Sequence, residues 1–230
     1  MNAEEAAVLS QFETAAAEAI EAGAPVKHPS TRQLFAYWDA QRGSRRAPER
    51  DDIDPGAIRR VLADTFMLAV DARAGHPFRI AGTRVCAAFG RELRSTAFID
   101  LWYGEDRQRL ADLLAAVALE TIAIVASARA EGANGEIVFE LLLLPLGHPG
   151  QTDARLLGAL APAEIPCWFG TSALSRLALG SHRFLPPGIS GNLRSGLVPR
   201  QAPARLVRGL LVYDAGRLLS SPGTSSLTER

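Results

Sequence analysis

The chain has 230 residues, with 25 Lys+Arg balanced by 25 Asp+Glu, 47% hydrophobic and 22% charged. That length supports a core without disulfides or metal, and the composition excludes wholesale disorder, a collagen-like repeat and a disulfide scaffold. Cys86 and Cys167 form no framework, no apolar run reaches the roughly 18–20 residues of a membrane span, and the acidic residues 1–5 do not read as a secretion leader, so the expected location is the cytoplasm.

The balanced total hides an asymmetry. Residues 1–162 hold 17 basic and 22 acidic side chains, and residues 163–230 hold 8 and 3. The arginines of the second part are scattered, which suits a tail lying on an acidic body as well as an arm that meets an anionic partner.

Residues 3–22 are predicted to form an amphipathic helix. Val8, Phe12, Ala16 and Ile20 recur every four residues, glutamates fill the other faces, and Gly23 with Pro25 ends the pattern. So narrow a stripe needs a surface to lie on. A second helix starts at a capping box of Ser30 and Gln33, buries Leu34, Phe35 and Trp38, and closes at Gly43. The arginine-bearing stretch 42–52 reads as a loop. Asp54 and Pro55 then predict a third, short helix with Ile58, Val61 and Leu62 on its buried side.

The period changes after this. Apolar runs at 65–70 and 77–82, joined by a polar loop at 71–76, predict a hairpin; 84–89 predict a short helix ending at Gly90, and 105–119 a longer one with Leu110, Leu113, Leu114 and Val117 on one face. Asn134 and Gly135 between the β-rich runs 121–129 and 136–146 give a strong hairpin signal, and a third strand follows at 154–161. The order predicts an α+β fold with helices on one face of an antiparallel sheet. From Pro162 onward prolines punctuate the chain, and 206–213 is the one convincing strand candidate.

Catalytic patterns fail in turn. There is no nucleophile elbow and no phosphate-cradling loop, the only lysine is Lys27, and the histidines and cysteines have no metal-ligand spacing. Asp51, Asp52 and Asp54 resemble a cation or acid–base cluster, but capping explains them as well. Arg42 and Arg46 have the R-x-x-x-R spacing of cyclic-dinucleotide receptors. The second half of that pattern is missing, because residues 153–158 are remote and carry Arg155 where such receptors have serine.

Several ordered motifs carry a family resemblance: Leu34, Phe35, Tyr37 and Trp38; the turn from Arg50 to Pro55; Phe78 through Arg84; Phe89 through Leu93; Asp100 to Trp102; and Leu144 to Leu146. Across residues 28–162 the chain resembles the PAS-like domain family of alphaproteobacteria. The resemblance implies a PAS-like α+β fold in which a five-stranded antiparallel sheet cups a cavity under short helices. Residues 1–27 would be an N-terminal amphipathic helix and 163–230 a Pro/Gly/Arg-rich, partly disordered extension.

The implied function is a non-enzymatic bacterial sensory or adaptor protein that binds a protein partner and a small ligand. The alternative is a nucleotide- or nucleic-acid-binding regulator acting through the arginines of 42–50 or of the tail. The candidate cavity residues are Phe66, Leu68, Val85, Cys86, Phe89, Phe98, Trp102 and Leu114, with Arg79 and Arg84 as polar anchors; a plain core role is the simpler reading of most of the apolar ones. The cofactor is unknown. The flavin branch's Asn-Cys-Arg-Phe motif is not matched around Cys86, and the haem branch's histidine is missing from 105–119. His76 lies in a turn and is expected to be solvated. N-terminal helices of PAS proteins commonly pack across a dimer, so Val8, Phe12 and Ile20 are the candidate homodimer contacts.

Overall fold

The computed structural model describes residues 26–147, 154–185, 205–207 and 210–212. The helix expected over 3–22 lies outside the described residues, as do the expected dimer contacts Val8, Phe12 and Ile20.

Helix α1 (Pro29–Arg42) opens the described fold, with proline in its first turn. Its cap is His28, whose Nδ1 accepts the Ser30 N–H at 3.1 Å. The expected capping box is therefore corrected. The Ser30 hydroxyl donates instead to Asp64 at 2.7 Å, because a fully buried carboxylate must be hydrogen-bonded. Glu140 completes the helix start: its carboxylate accepts the backbone N–H groups of Lys27 and His28 at 3.0 and 2.9 Å and the Thr31 hydroxyl. A negative charge at this end of the helix also meets the positive pole of its dipole.

The third helix expected from Asp54 does not form. Residues 55–61 make turns and a 3-10 turn follows (Leu62–Asp64). Asp54 caps as expected by accepting the Gly56 N–H at 2.8 Å, and Ile58 and Val61 are buried, but Leu62 is 37% exposed. Gly56 costs about 1 kcal/mol in a helix interior, and two buried anchors do not repay a full nucleus.

Six strands make one antiparallel sheet: β1 (Thr65–Ala69), β2 (Phe78–Ala81), β3 (Ala123–Gly132), β4 (Gly135–Pro145), β5 (Arg155–Pro162) and β6 (Leu177–Leu185), in the order β2-β1-β5-β4-β3-β6. The first five match the sequence expectation. The turn between β3 and β4 lies at Ala133 and Asn134, one residue before the expected pair. Gly132 faces Gly135, and the positive φ (138°) falls on Gly135. Helices α2 (Thr83–Ala88) and α3 (Gly104–Glu120) lie where the apolar spacing placed them.

β6 is a correction: the region from 163 was expected to carry a strand only at 206–213. Leu177, Leu179 and Leu185 are buried while β6 pairs along β3, and Asp106 of α3 accepts the Leu179 N–H at 2.8 Å. Between those leucines stand Gly180, Ser181, His182 and Arg183, so neither a continuous run nor a clean alternation marks the strand; the open edge of β3 orders it. The chain divides into two compact units, Met1–Gly196 and Leu197–Arg230. In the second, β7 (Arg205–Val207) and β8 (Leu210–Val212) pair with each other instead of forming one strand.

The sheet is covered on both faces, which corrects the one-face expectation. Phe66, Leu68, Phe139, Leu141, Leu143, Leu156 and Leu160 pack with α2, α3 and a 3-10 turn (Phe98–Leu101). The alternate residues Met67, Val125, Leu142, Leu144 and Leu157 pack with Leu34, Phe35 and Trp38 of α1. Double coverage explains why Leu141–Leu144 reads as an unbroken apolar run. At the centre Phe66 faces Gly158 across the β1–β5 ladder. A Cβ on Gly158 would sit 2.3 Å from the Phe66 ring, so glycine is what admits the ring there.

Candidate functional site

The inner face carries an aromatic cluster contributed by three separate elements. β1 supplies Phe66, β2 supplies Phe78, and Phe98 comes from the 3-10 turn that leads into Trp102. Phe66 lies 5.3 Å from Phe98 and 5.6 Å from Phe78 between ring centroids; Phe78 and Phe98 meet edge-on at 5.5 Å, and Phe98 and Trp102 at 5.7 Å. Edge-to-face pairs at such distances add about 0.5–1.5 kcal/mol each beyond their buried area.

Trp102 is fully buried, and its Nε1–H has no acceptor within reach among the described residues. Trp38 on the other face is the contrasting case: its Nε1–H donates to the Pro145 carbonyl at 2.8 Å. A buried donor left unpaired costs about 1–3 kcal/mol, so the Trp102 indole holds a hydrogen bond in reserve.

His76 is the second surprise. It was expected to be solvated, and the structure buries it to 5% exposure at φ 56°. Its N–H donates to the Asp71 carbonyl at 2.8 Å and its carbonyl accepts from Phe98, so the turn folds under the 3-10 turn instead of standing free. Nδ1 has no partner among the described residues. Burial pulls the imidazole below its ordinary range, against the opposing pull of the Asp71 carboxylate.

Of the expected cavity residues, Phe66, Phe98 and Trp102 are in ring contact, and Leu68, Val85, Phe89 and Leu114 belong to the same buried cluster. Cys86 stands partly buried at its margin, with Sγ 3.6 Å from a Glu92 carboxylate oxygen. Burial, reinforced by the Glu92 charge, raises its thiol above the ordinary range, which keeps it protonated and poorly nucleophilic. The two expected anchors lie elsewhere. Arg79 is exposed on β2, and Arg84 donates to Asp64 at 2.6 Å, tying the start of α2 to the Ser30 end of α1. Phe78 and His76 were missed as site residues. Phe78 faces the candidate Leu68 across β1–β2, so pairing the two expected strands in register would have found it.

The arginine loop is occupied by its own fold. Arg42 pairs with Asp39 at 2.5 Å and lies over the Trp38 ring, Arg45 pairs with Asp52 at 2.8 Å, Arg46 donates to the Glu120 carbonyl at 2.7 Å, and Arg50 pairs with Asp51 at 3.0 Å. Asp52 also accepts the Glu49 N–H, so the carboxylates act as caps here. No group of three or more His, Cys, Asp or Glu side chains able to hold a metal ion occurs among the described residues.

Comparison with known families gives one finding. A family profile described as a PAS domain matches residues 26–161, from the start of α1 to the end of β5. The match thus contains both faces of the core and stops before β6. No curated protein and no solved structure matches the chain significantly.

Proposed function

Because the chain belongs to the PAS-domain family, whose members are in general sensory and signalling modules without catalysis of their own, we propose that it is a sensor or adaptor that reads a small ligand at the Trp102 indole. The observation that carries this reading is the unpaired N–H inside a fully buried aromatic cluster. The matching ligand is a compact apolar molecule with one hydrogen-bond acceptor. Its body would lie against Phe66, Phe78 and Phe98, and its acceptor would take the Trp102 N–H. Those rings close on one another, so the ligand enters by parting them, and movement of the 3-10 turn carrying Phe98 is the signal passed on.

Native mass spectrometry of gently purified full-length protein tests the reading. A small molecule should travel with the wild type and be lost from a folded Trp102→Phe variant. Protein that carries nothing, or a variant that keeps its passenger, refutes it.

The same proposal places the protein in the cytoplasm as a homodimer bound through residues 3–22 and engaging a protein partner. Among the described residues no helix is long and apolar enough to cross a membrane. Val8, Phe12 and Ile20 supply a stripe worth roughly 1.5–3 kcal/mol for each large side chain before association costs. Size-exclusion chromatography with light scattering should show a dimer that weakens when residues 1–24 are removed; a dimer indifferent to that deletion counts against it.

A further inference from the structure

A separate cleft opens where the end of α2, the 98–101 turn, the start of α3 and the segment 173–176 meet. Its volume is about 690 Å³, within the range of small-molecule sites. The apolar wall is Phe89, Leu101 and Leu174, all members of the inner core. Around it stand Arg91, Arg107 and Arg176 against a single acid, Asp100.

The charges are not equally engaged. Arg107 is held by Asp100 at 3.3 Å, and its Nε–H donates to the Trp102 carbonyl at 3.3 Å. Arg91 and Arg176 have no carboxylate partner among the described residues. Two like charges in one concavity repel unless an anion joins them, and two planar guanidinium forks match the several oxygens of a phosphate better than a single carboxylate.

The walls are fixed in advance. Leu174 N–H donates to the Ala88 carbonyl at 2.8 Å, Ser175 N–H to Glu131 at 2.7 Å, and Tyr103 N–H to Leu177 at 2.9 Å, so α2, β3 and the start of α3 all hold the segment that carries Arg176. That segment lies beyond residue 161, outside the stretch matching the PAS-domain family.

The geometry points to a binding site for a small phosphate ester, with its phosphoryl group between Arg91 and Arg176 and its apolar body on Phe89, Leu101 and Leu174.

Isothermal titration calorimetry of the full chain at constant ionic strength tests it, with phenyl phosphate, inorganic phosphate and benzoate as probes. Phenyl phosphate should bind saturably, about tenfold more tightly than inorganic phosphate because of the apolar wall, and benzoate more weakly than phenyl phosphate. Arg91→Gln and Arg176→Gln should each weaken phenyl phosphate about tenfold or more, while Arg59→Gln, which removes an exposed charge elsewhere, should leave it unchanged. Both cleft arginines are exposed, so an unchanged thermal midpoint verifies that the variants fold. Absence of saturable phenyl phosphate binding, binding that survives both cleft substitutions, or benzoate binding as tight as phenyl phosphate overturns the assignment.

Discussion

Each face of the sheet closes over a tryptophan, and the two tryptophans are treated differently. On the α1 face Trp38 stacks on Phe35, lies under the Arg42 guanidinium and gives its N–H to Pro145. On the opposite face Trp102 packs among phenylalanines that offer no acceptor. Similar burial therefore has two meanings. The α1 face is a fastening, anchored further by Glu140 at the helix start and by Tyr37, whose hydroxyl accepts the Asp54 N–H at 2.8 Å and donates to the Asp52 carbonyl. The aromatic face keeps a hydrogen-bonding group without a partner among the described residues. The chain's single lysine sits at the edge of the α1 face, where burial and then the Arg183 charge lower its ammonium below the ordinary range against the pull of Glu140.

The largest break in this comparison is to remove what both faces share. Ending the chain after Glu164 deletes β6 and with it Leu177 and Leu179 from the aromatic face and Leu185 from the other. Three buried leucines are worth about 5–9 kcal/mol, comparable to the whole stability of a domain, so the truncated chain should be unfolded by circular dichroism. A chain that ends after Gly196 should fold. The reason is that β6 pairs along β3 at the edge of the sheet.

Trp38→Ala comes next. Losing a ring at 2% exposure should cost about 3–5 kcal/mol in denaturant titration. A near-neutral result would show that α1 is not fastened to the sheet as described.

The sharper comparison is conservative. Trp38→Phe removes the donor that meets the Pro145 carbonyl, whereas Trp102→Phe removes a donor that has no partner among the described residues. With ligand-free protein, Trp38→Phe should cost about 1–3 kcal/mol more than Trp102→Phe. Equal losses would mean that the Trp102 N–H is paired in solution.

The smallest effect is with pH. His76 is held below its unfolded value of 6.5, so as pH falls beneath that value the unfolded chain takes up the proton first. Stability should therefore decline as pH drops from 6.5 toward the folded-state value and level off below it. His182 acts in the same direction, through burial and the Arg109 charge. His76→Asn, which keeps a residue tolerant of positive φ, should flatten part of the slope in thermal melts across pH 5 to 7. An unchanged slope would assign the dependence to other groups.

Local pattern determined a good deal of this protein. Apolar runs and turn residues placed β1 to β5, and helical apolar spacing placed α3, whereas Phe66, Phe98 and Trp102 were picked out through the cavity that the family resemblance implies. The strand and helix placements follow from each residue's own neighbours along the chain. What only the tertiary structure decided involves partners distant in sequence. Ser30 leaves its helix for Asp64, Arg84 leaves the cavity for the same carboxylate, and His76 is buried because Phe98 and its turn fold over it. β6 is a strand because β3 offers an edge, and the run Leu141–Leu144 divides between two cores because α1 returns to cover the second face. A side chain's preference is local, but which donor, acceptor or apolar surface reaches it first is fixed only when the chain closes on itself.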